Sequence, residues 1–98
     1  MRFPRLVIAA IILLSPPAAV AAPAAPPGAA SCSGCHASGA GVATTVPRLA
    51  GRAPADIVAA MQDYRAGKRP ATVMDRIAKG FSDDETKAIA AWLAAQQQ

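Results

Sequence analysis

Aromatic side chains are scarce in this sequence: Phe3, Tyr64, Phe81 and Trp92 are the whole set. The 53% hydrophobic content is therefore mostly alanine. Alanine buries little area, so such a composition makes a weak core by itself. Histidine occurs once, as His36, and cysteine twice, as Cys32 and Cys35. A structural zinc site needs four such ligands, and there is no second cluster to complete one. No segment alternates apolar and polar residues in the manner of a half-buried strand, which removes support for a thioredoxin-like β-α-β scaffold. Acids are also few, six Asp+Glu against ten Lys+Arg, giving a formal charge of +4. That balance first points to nucleic acid or an anionic membrane, yet nothing resembles a nucleic-acid module. A length of 98 residues allows one small domain, and the apolar fraction argues against disorder.

The N-terminus reads as an address. Arg2 and Arg5 open the chain without an acid, residues 6–14 are an unbroken apolar run, and Pro16-Pro17 end any helix. Ala19-Val20-Ala21 then supplies an A-x-A site. This is the pattern of a secretory signal peptide, residues 1–21, cleaved after Ala21. Cleavage one residue later would leave Pro23 first. The apolar run is too short for a transmembrane helix, and Arg2 and Arg5 are not adjacent, which argues against a twin-arginine signal. Lipidation of Cys32 is rejected, because Ala29-Ala30-Ser31 lacks a large aliphatic residue and lies far from the apolar run. An uncleaved anchor is the alternative. Cleavage removes two arginines, so the charge falls to +2. Residues 22–30, rich in Ala, Pro and Gly, read as a flexible lead-in, and residues 31–98 as the domain. A domain of about 70 residues usually needs a staple, metal or cofactor to complete its core.

Cys32-Ser33-Gly34-Cys35-His36 is C-x-x-C-H, the attachment signature of c-type haem. Thiols three positions apart lie on nearly one face of a helical turn. Each can add to one vinyl group of the same porphyrin, and His36 can then present its imidazole to the iron. A plain disulfide suits an exported protein but leaves His36 without a role.

A bis-histidine haem is excluded by the single histidine, so a second protein ligand should be methionine sulfur. Past the signal peptide the choices are Met61 and Met74. Ile57, Ala60, Met61 and Tyr64 fall at i, i+3, i+4 and i+7, one apolar helix face, which makes Met61 a core residue. Met74 follows Pro70-Ala71-Thr72-Val73 in a separate segment able to wrap a haem edge. Met74, Ile77 and Phe81 are also spaced i, i+3, i+7, so spacing leaves packing open beside ligation.

The pattern predicts an all-α chain of three to four helices. One should run over residues 31–37 and end near Gly39, followed by a loop over 39–52. The next should open at Pro54, a favoured first position, and end near Gly67. A short turn should follow Met74 and stop at Gly80. The last should start at Ser82, whose Glu85 three residues on makes a capping box. Its buried face should hold Ala88, Ile89, Trp92 and Leu93.

The ordered set Cys32-Ser33-Gly34-Cys35-His36, Pro47-Arg48-Leu49-Ala50-Gly51, Met74 and Phe81-Ser82-Asp83-Asp84-Glu85 resembles a small class I c-type cytochrome across residues 28–97. Within that class, residues 64–83 (YRAGKRPATVMDRIAKGFSD) resemble the cytochrome subunit of sulfide dehydrogenase, the flavocytochrome c partner. The resemblance implies a monohaem cytochrome c fold wrapped around one covalent haem c. It implies Cys32 and Cys35 as thioether cysteines, His36 as proximal ligand and Met74 as distal ligand. It also implies that the Pro47 carbonyl accepts the proton of the histidine's second nitrogen, a bond that fixes the ring and tunes its basicity. Leu49 and Trp92 match apolar positions around the haem and between the terminal helices. Some relatives carry a second haem domain, which this chain lacks.

The function so implied is single-electron transfer in the periplasm after export by the general secretory route. The chain would be the non-catalytic, electron-accepting subunit of a sulfide-oxidising flavocytochrome c, partnered by a flavoprotein and by other periplasmic redox proteins. A free-standing carrier serving another oxidase or reductase is one alternative; a gas-binding or peroxidatic haem protein with an open iron site is another. Neither nucleic acid nor a stable membrane span is expected after signal cleavage. The basic stretch Arg65, Lys68, Arg69, Arg76 and Lys79 reads as a solvated face or as a docking patch. A cavity lined by Leu49 is expected between His36 and Met74.

Overall fold

The computed structural model describes residues 15–19, 23–39 and 41–96. The signal peptide and its cleavage site after Ala21 fall mostly outside these residues. Among the described residues there are four helices and no strand: α1 (Ala29–Ser33), α2 (Pro54–Arg65), α3 (Met74–Ala78) and α4 (Asp83–Ala94). This is the all-helical architecture the sequence predicts for a small cytochrome c. No described helix is long and apolar enough to cross a membrane.

Local signals set most boundaries. Pro54 occupies the first turn of α2 and Asp56 sits near the positive helix end. The helix stops at Arg65, and Gly67 beyond it adopts a left-handed φ of 71°. At α4 the Ser82 hydroxyl accepts the Glu85 amide at 3.2 Å, while the Glu85 carboxylate accepts the Ser82 amide at 2.8 Å. The two bonds complete the reciprocal capping box.

Two expectations shift. The first helix runs over Ala29–Ser33 rather than 31–37, and so begins inside the stretch read as lead-in. Gly28, at a left-handed φ of 85°, turns the chain into it, and the Ala29 amide donates to the Pro26 carbonyl at 3.1 Å. On α4, Ala88 is exposed and Trp92 half-buried, while Thr86, Ile89, Ala90 and Leu93 are buried. These four recur at i, i+3, i+4 and i+7, a stripe rotated away from Ala88.

The core gathers Ala29, Ile57, Ile89, Ala90 and Leu93, with Cys32, Leu49, Val58, Phe81 and Trp92 packed against it. α2 packs on both α4 and α3. The short α1 reaches the core because its residues are small. Ala29 is fully buried, and a Cβ added at Gly28 would lie 2.7 Å from Phe81 Cε1 and 3.5 Å from Ile89 Cδ1. The loop before α2 is tied to the same helix, since the Gly51 amide donates to the Leu93 carbonyl at 3.2 Å. Both chain segments that carry the motif residues are thereby referenced to α4.

Candidate haem site

α1 ends one residue after Cys32, but the backbone keeps turning. Gly34 is right-handed helical, and the Cys32 carbonyl accepts the amides of Cys35 at 3.3 Å and His36 at 2.9 Å. Cys32, Cys35 and His36 therefore sit on one helical turn. Both thiols are free, Cys32 half-buried and Cys35 exposed. Burial raises the Cys32 thiol above its ordinary pKa, partly offset by a backbone hydrogen bond.

His36 is half-buried, and its Nδ1 lies 2.5 Å from the Pro47 carbonyl oxygen. A carbonyl only accepts, so Nδ1 carries the proton, which leaves Nε2 as the ring nitrogen free to act as a ligand. The loop presenting Pro47 is braced by arginines. Arg48 Nη2 donates to the Val42 carbonyl at 3.1 Å, and Arg52 Nε donates to the Arg48 carbonyl at 2.6 Å. The Arg52 amide closes a turn on the Leu49 carbonyl, and Ala50 between them is buried. That turn sets Leu49 against the same core cluster on which Cys32 and Trp92 pack.

A cavity of about 110 Å³ opens here, lined by Cys32, Ser33, His36, Ala37, Ser38, Leu49, Ala50, Trp92, Leu93 and Gln96. It unites Cys32, His36 and Leu49, and adds Trp92 and Leu93 from α4. Met74 is not in its lining. The expected cavity spanning His36 and Met74 is therefore corrected to one on the His36 side. Met74 instead opens α3, half-buried, on the helix that packs against α2.

The donor chemistry fits a c-type haem. Two free thiols lie one helical turn apart, the imidazole has one nitrogen committed to Pro47 and the other available, and the wall beside them is largely apolar. Among the described residues no three His, Cys, Asp or Glu side chains group as a metal site.

Arg65 and the Gly28–Ala29 entry are the structural residues that sequence reasoning missed. Arg65 reads as one more cation of a basic stretch, but its guanidinium is spent on Ala78, Phe81 and Asp83. Arg69 lies over the Tyr64 ring, 5.4 Å from its centroid, and 4.0 Å from Asp63.

No family model matches the chain. It is 38% identical over 60 residues to the cytochrome subunit of sulfide dehydrogenase of Chlorobaculum tepidum, a match covering 61% of this chain and 54% of that protein. It is 38% identical over 73 residues to the thiosulfate dehydrogenase electron acceptor of Thiomonas intermedia, covering 70% of this chain and 34% of that one. The chain thus spans about half the length of the first relative and a third of the second. Both names are those of electron-transfer components rather than catalysts. The likeness is to a c-type cytochrome of that kind, as the motif resemblance implies.

Proposed function

We propose that this chain is a periplasmic monohaem c-type cytochrome, the electron-accepting subunit of a sulfide-oxidising flavocytochrome c. The observation that carries the reading is the contact of His36 Nδ1 with the Pro47 carbonyl on the turn that bears both cysteines. Cys32 and Cys35 would hold the haem through thioether bonds, His36 Nε2 would ligate one iron face and Met74 sulfur the other. When bound, the haem supplies a one-electron Fe(III)/Fe(II) couple, and methionine ligation with burial favours the reduced state.

This chain's own residues orient and shield. The Pro47 carbonyl fixes the orientation of the His36 ring. Leu49, Trp92 and Leu93 keep water from the proximal side. In this reading His36 and Met74 would be the two protein ligands of the haem, and the chain would accept electrons from a partner flavoprotein and pass them to another periplasmic redox protein. The N-terminal export pattern supports the periplasm, and the first relative's name supports sulfide dehydrogenase as the assembly. The second relative's name favours a second reading, an acceptor for a different sulfur-compound dehydrogenase such as one acting on thiosulfate.

Haem staining on a denaturing gel tests attachment: signal in the exported protein is expected, and none in Cys32→Ala plus Cys35→Ala. The sulfur–iron charge-transfer band of the ferric protein should vanish in Met74→Ala and persist in Met61→Ala. A band unchanged in Met74→Ala refutes the distal ligand. Co-purification with a flavoprotein and sulfide-dependent reduction are expected of the subunit. Reduction by thiosulfate with its dehydrogenase, and none with sulfide, would select the second reading.

A further inference from the structure

We infer that Arg65 is a positioning residue for Met74, fixing the far end of the short helix on which Met74 stands. The inference rests on the proposed ligation by Met74 and adds to it the group that holds the ligand in place.

α3 has five residues, too few to be stable alone. It starts at Met74, its N-cap Val73 offers no side-chain cap, and its one buried residue is Ala78, at the opposite end. Arg65, in the last turn of α2, reaches across to that end. Its Nε donates to the Ala78 carbonyl at 3.4 Å and its Nη2 to the Phe81 carbonyl at 2.6 Å. Its Nη1 donates to the Asp83 carboxylate at 2.7 Å. One planar group therefore joins the close of α3, the turn after it and the first turn of α4.

The three contacts differ in weight. The Asp83 pair is exposed, and such pairs contribute little. The two carbonyl bonds are partly buried and charge-assisted, which makes them the anchor. A cation at the C-terminal end of α3 also meets the negative end of its dipole. Only an arginine fork offers three donors in this plane; lysine offers a point charge. About 6 Å of helix separates Ala78 from Met74, so loosening the anchored end moves the sulfur. No other side chain of the basic stretch makes such a grip: Arg69 is held by Tyr64 and Asp63 instead.

The test uses the ferric holoprotein titrated with imidazole, which competes with sulfur for iron, followed by the sulfur–iron band. In Arg65→Met the imidazole concentration at half-loss should fall about tenfold, the loss of a charge-assisted anchor. Arg65→Lys should fall between the two, and it carries the same titration if Arg65→Met fails to retain haem. A midpoint equal to wild type in the variants overturns the inference. Amide exchange supplies the second readout. The Gly80 and Phe81 amides donate to the Ile77 and Ala78 carbonyls, and both should exchange faster without Arg65. Unchanged exchange overturns the anchor whatever ligates the iron. A band that survives Met74→Ala overturns the ligation reading alone, leaving the exchange result to decide whether Arg65 holds α3.

Discussion

Gly28→Ala is the substitution for which the structure gives the most detailed expectation. The position has φ 85°, in the left-handed region, and the new methyl would lie 2.7 Å from Phe81 Cε1. The backbone cost of a non-glycine residue there is about 1–2 kcal/mol. Overpacking adds about 1–3 kcal/mol, and the lower half applies because Phe81 is only half-buried and its ring can give. The sum is about 2–4 kcal/mol. A domain of this length has about 4–10 kcal/mol of stability, so the change removes a large share of it. For a domain this small the midpoint temperature should drop by about 10–30 °C. The assay is urea and thermal unfolding of the oxidised holoprotein, followed by far-ultraviolet circular dichroism. Gly67→Ala is the control: φ is 71°, but a Cβ there meets nothing within 4 Å, so only the backbone cost of about 1 kcal/mol applies. A double-mutant cycle with Phe81→Leu should recover the clash and leave the backbone part. If Gly28→Ala costs no more than Gly67→Ala, the close packing of the chain entry on Phe81 is wrong.

Thr86→Val should be neutral or stabilising by about 1 kcal/mol, because the buried Thr86 hydroxyl has no hydrogen-bond partner among the described residues; a melt showing clear destabilisation would reveal a partner. Pro47→Ala should leave the ferric sulfur–iron band and the His36 bond intact, since the acceptor is a backbone carbonyl, while lowering stability by about 0.4–1 kcal/mol through a freer unfolded chain; loss of ligation contradicts this. In the free-thiol protein, Cys35 should be alkylated faster than Cys32 below pH 9, as mass spectrometry of a time course can show, because burial holds the Cys32 thiol protonated. The linkage follows in sign. Cys32 titrates above its ordinary 9.0 when folded, so its stabilising contribution is intact below that pH and is lost as pH rises through the raised value. Stability that climbs with pH across that range would contradict the assignment.

What the sequence reveals here is what depends on near neighbours. The Ser82–Glu85 box, the Pro54 start and the Gly67 stop are each decided within one helical turn, and all three appear as expected. The C-x-x-C-H turn is equally local. The misplaced features depend on partners far along the chain. Ala29 is helical and buried where the bare Gly28 backbone comes close to Phe81, just before α4, and to Ile89 on it, and neither neighbour is legible from an Ala-Pro-Gly stretch. Arg65 makes its bonds to residues 13–18 positions away. The Pro47 contact spans 11 residues of irregular loop; no periodicity points to it, and it was legible only through the family resemblance. The α4 stripe is rotated from the expected face, with Thr86 and Ala90 buried in place of Ala88 and Trp92, and Ala90 joining Ile57 of α2 in the core.

The alanine excess then has a structural reason. Among the described buried apolar residues, Ala29, Ala50, Ala78 and Ala90 outnumber Ile57, Ile89 and Leu93. Alanine contributes little transfer energy, but it lets α1, the 49–52 turn and α3 approach their neighbours closely. The large side chains are handled differently. Leu49, Phe81, Trp92, Met61 and Met74 are all only half-buried, and Leu49 and Trp92 face the cavity beside Cys32 and His36. A chain this short that commits small residues to its helix contacts and keeps its largest apolar ones partly uncovered draws limited stability from protein–protein burial. Under the proposed function those half-buried side chains would close on the porphyrin, so covalent attachment and folding would be coupled steps. The same placement explains why net charge is a poor guide to partners. Under the proposed export two arginines would leave with the signal peptide, Arg65 is bonded to Ala78, Phe81 and Asp83, and Arg69 is engaged by Tyr64 and Asp63. Within the 65–79 stretch, Lys68, Arg76 and Lys79 are then the cations left to steer a partner electrostatically.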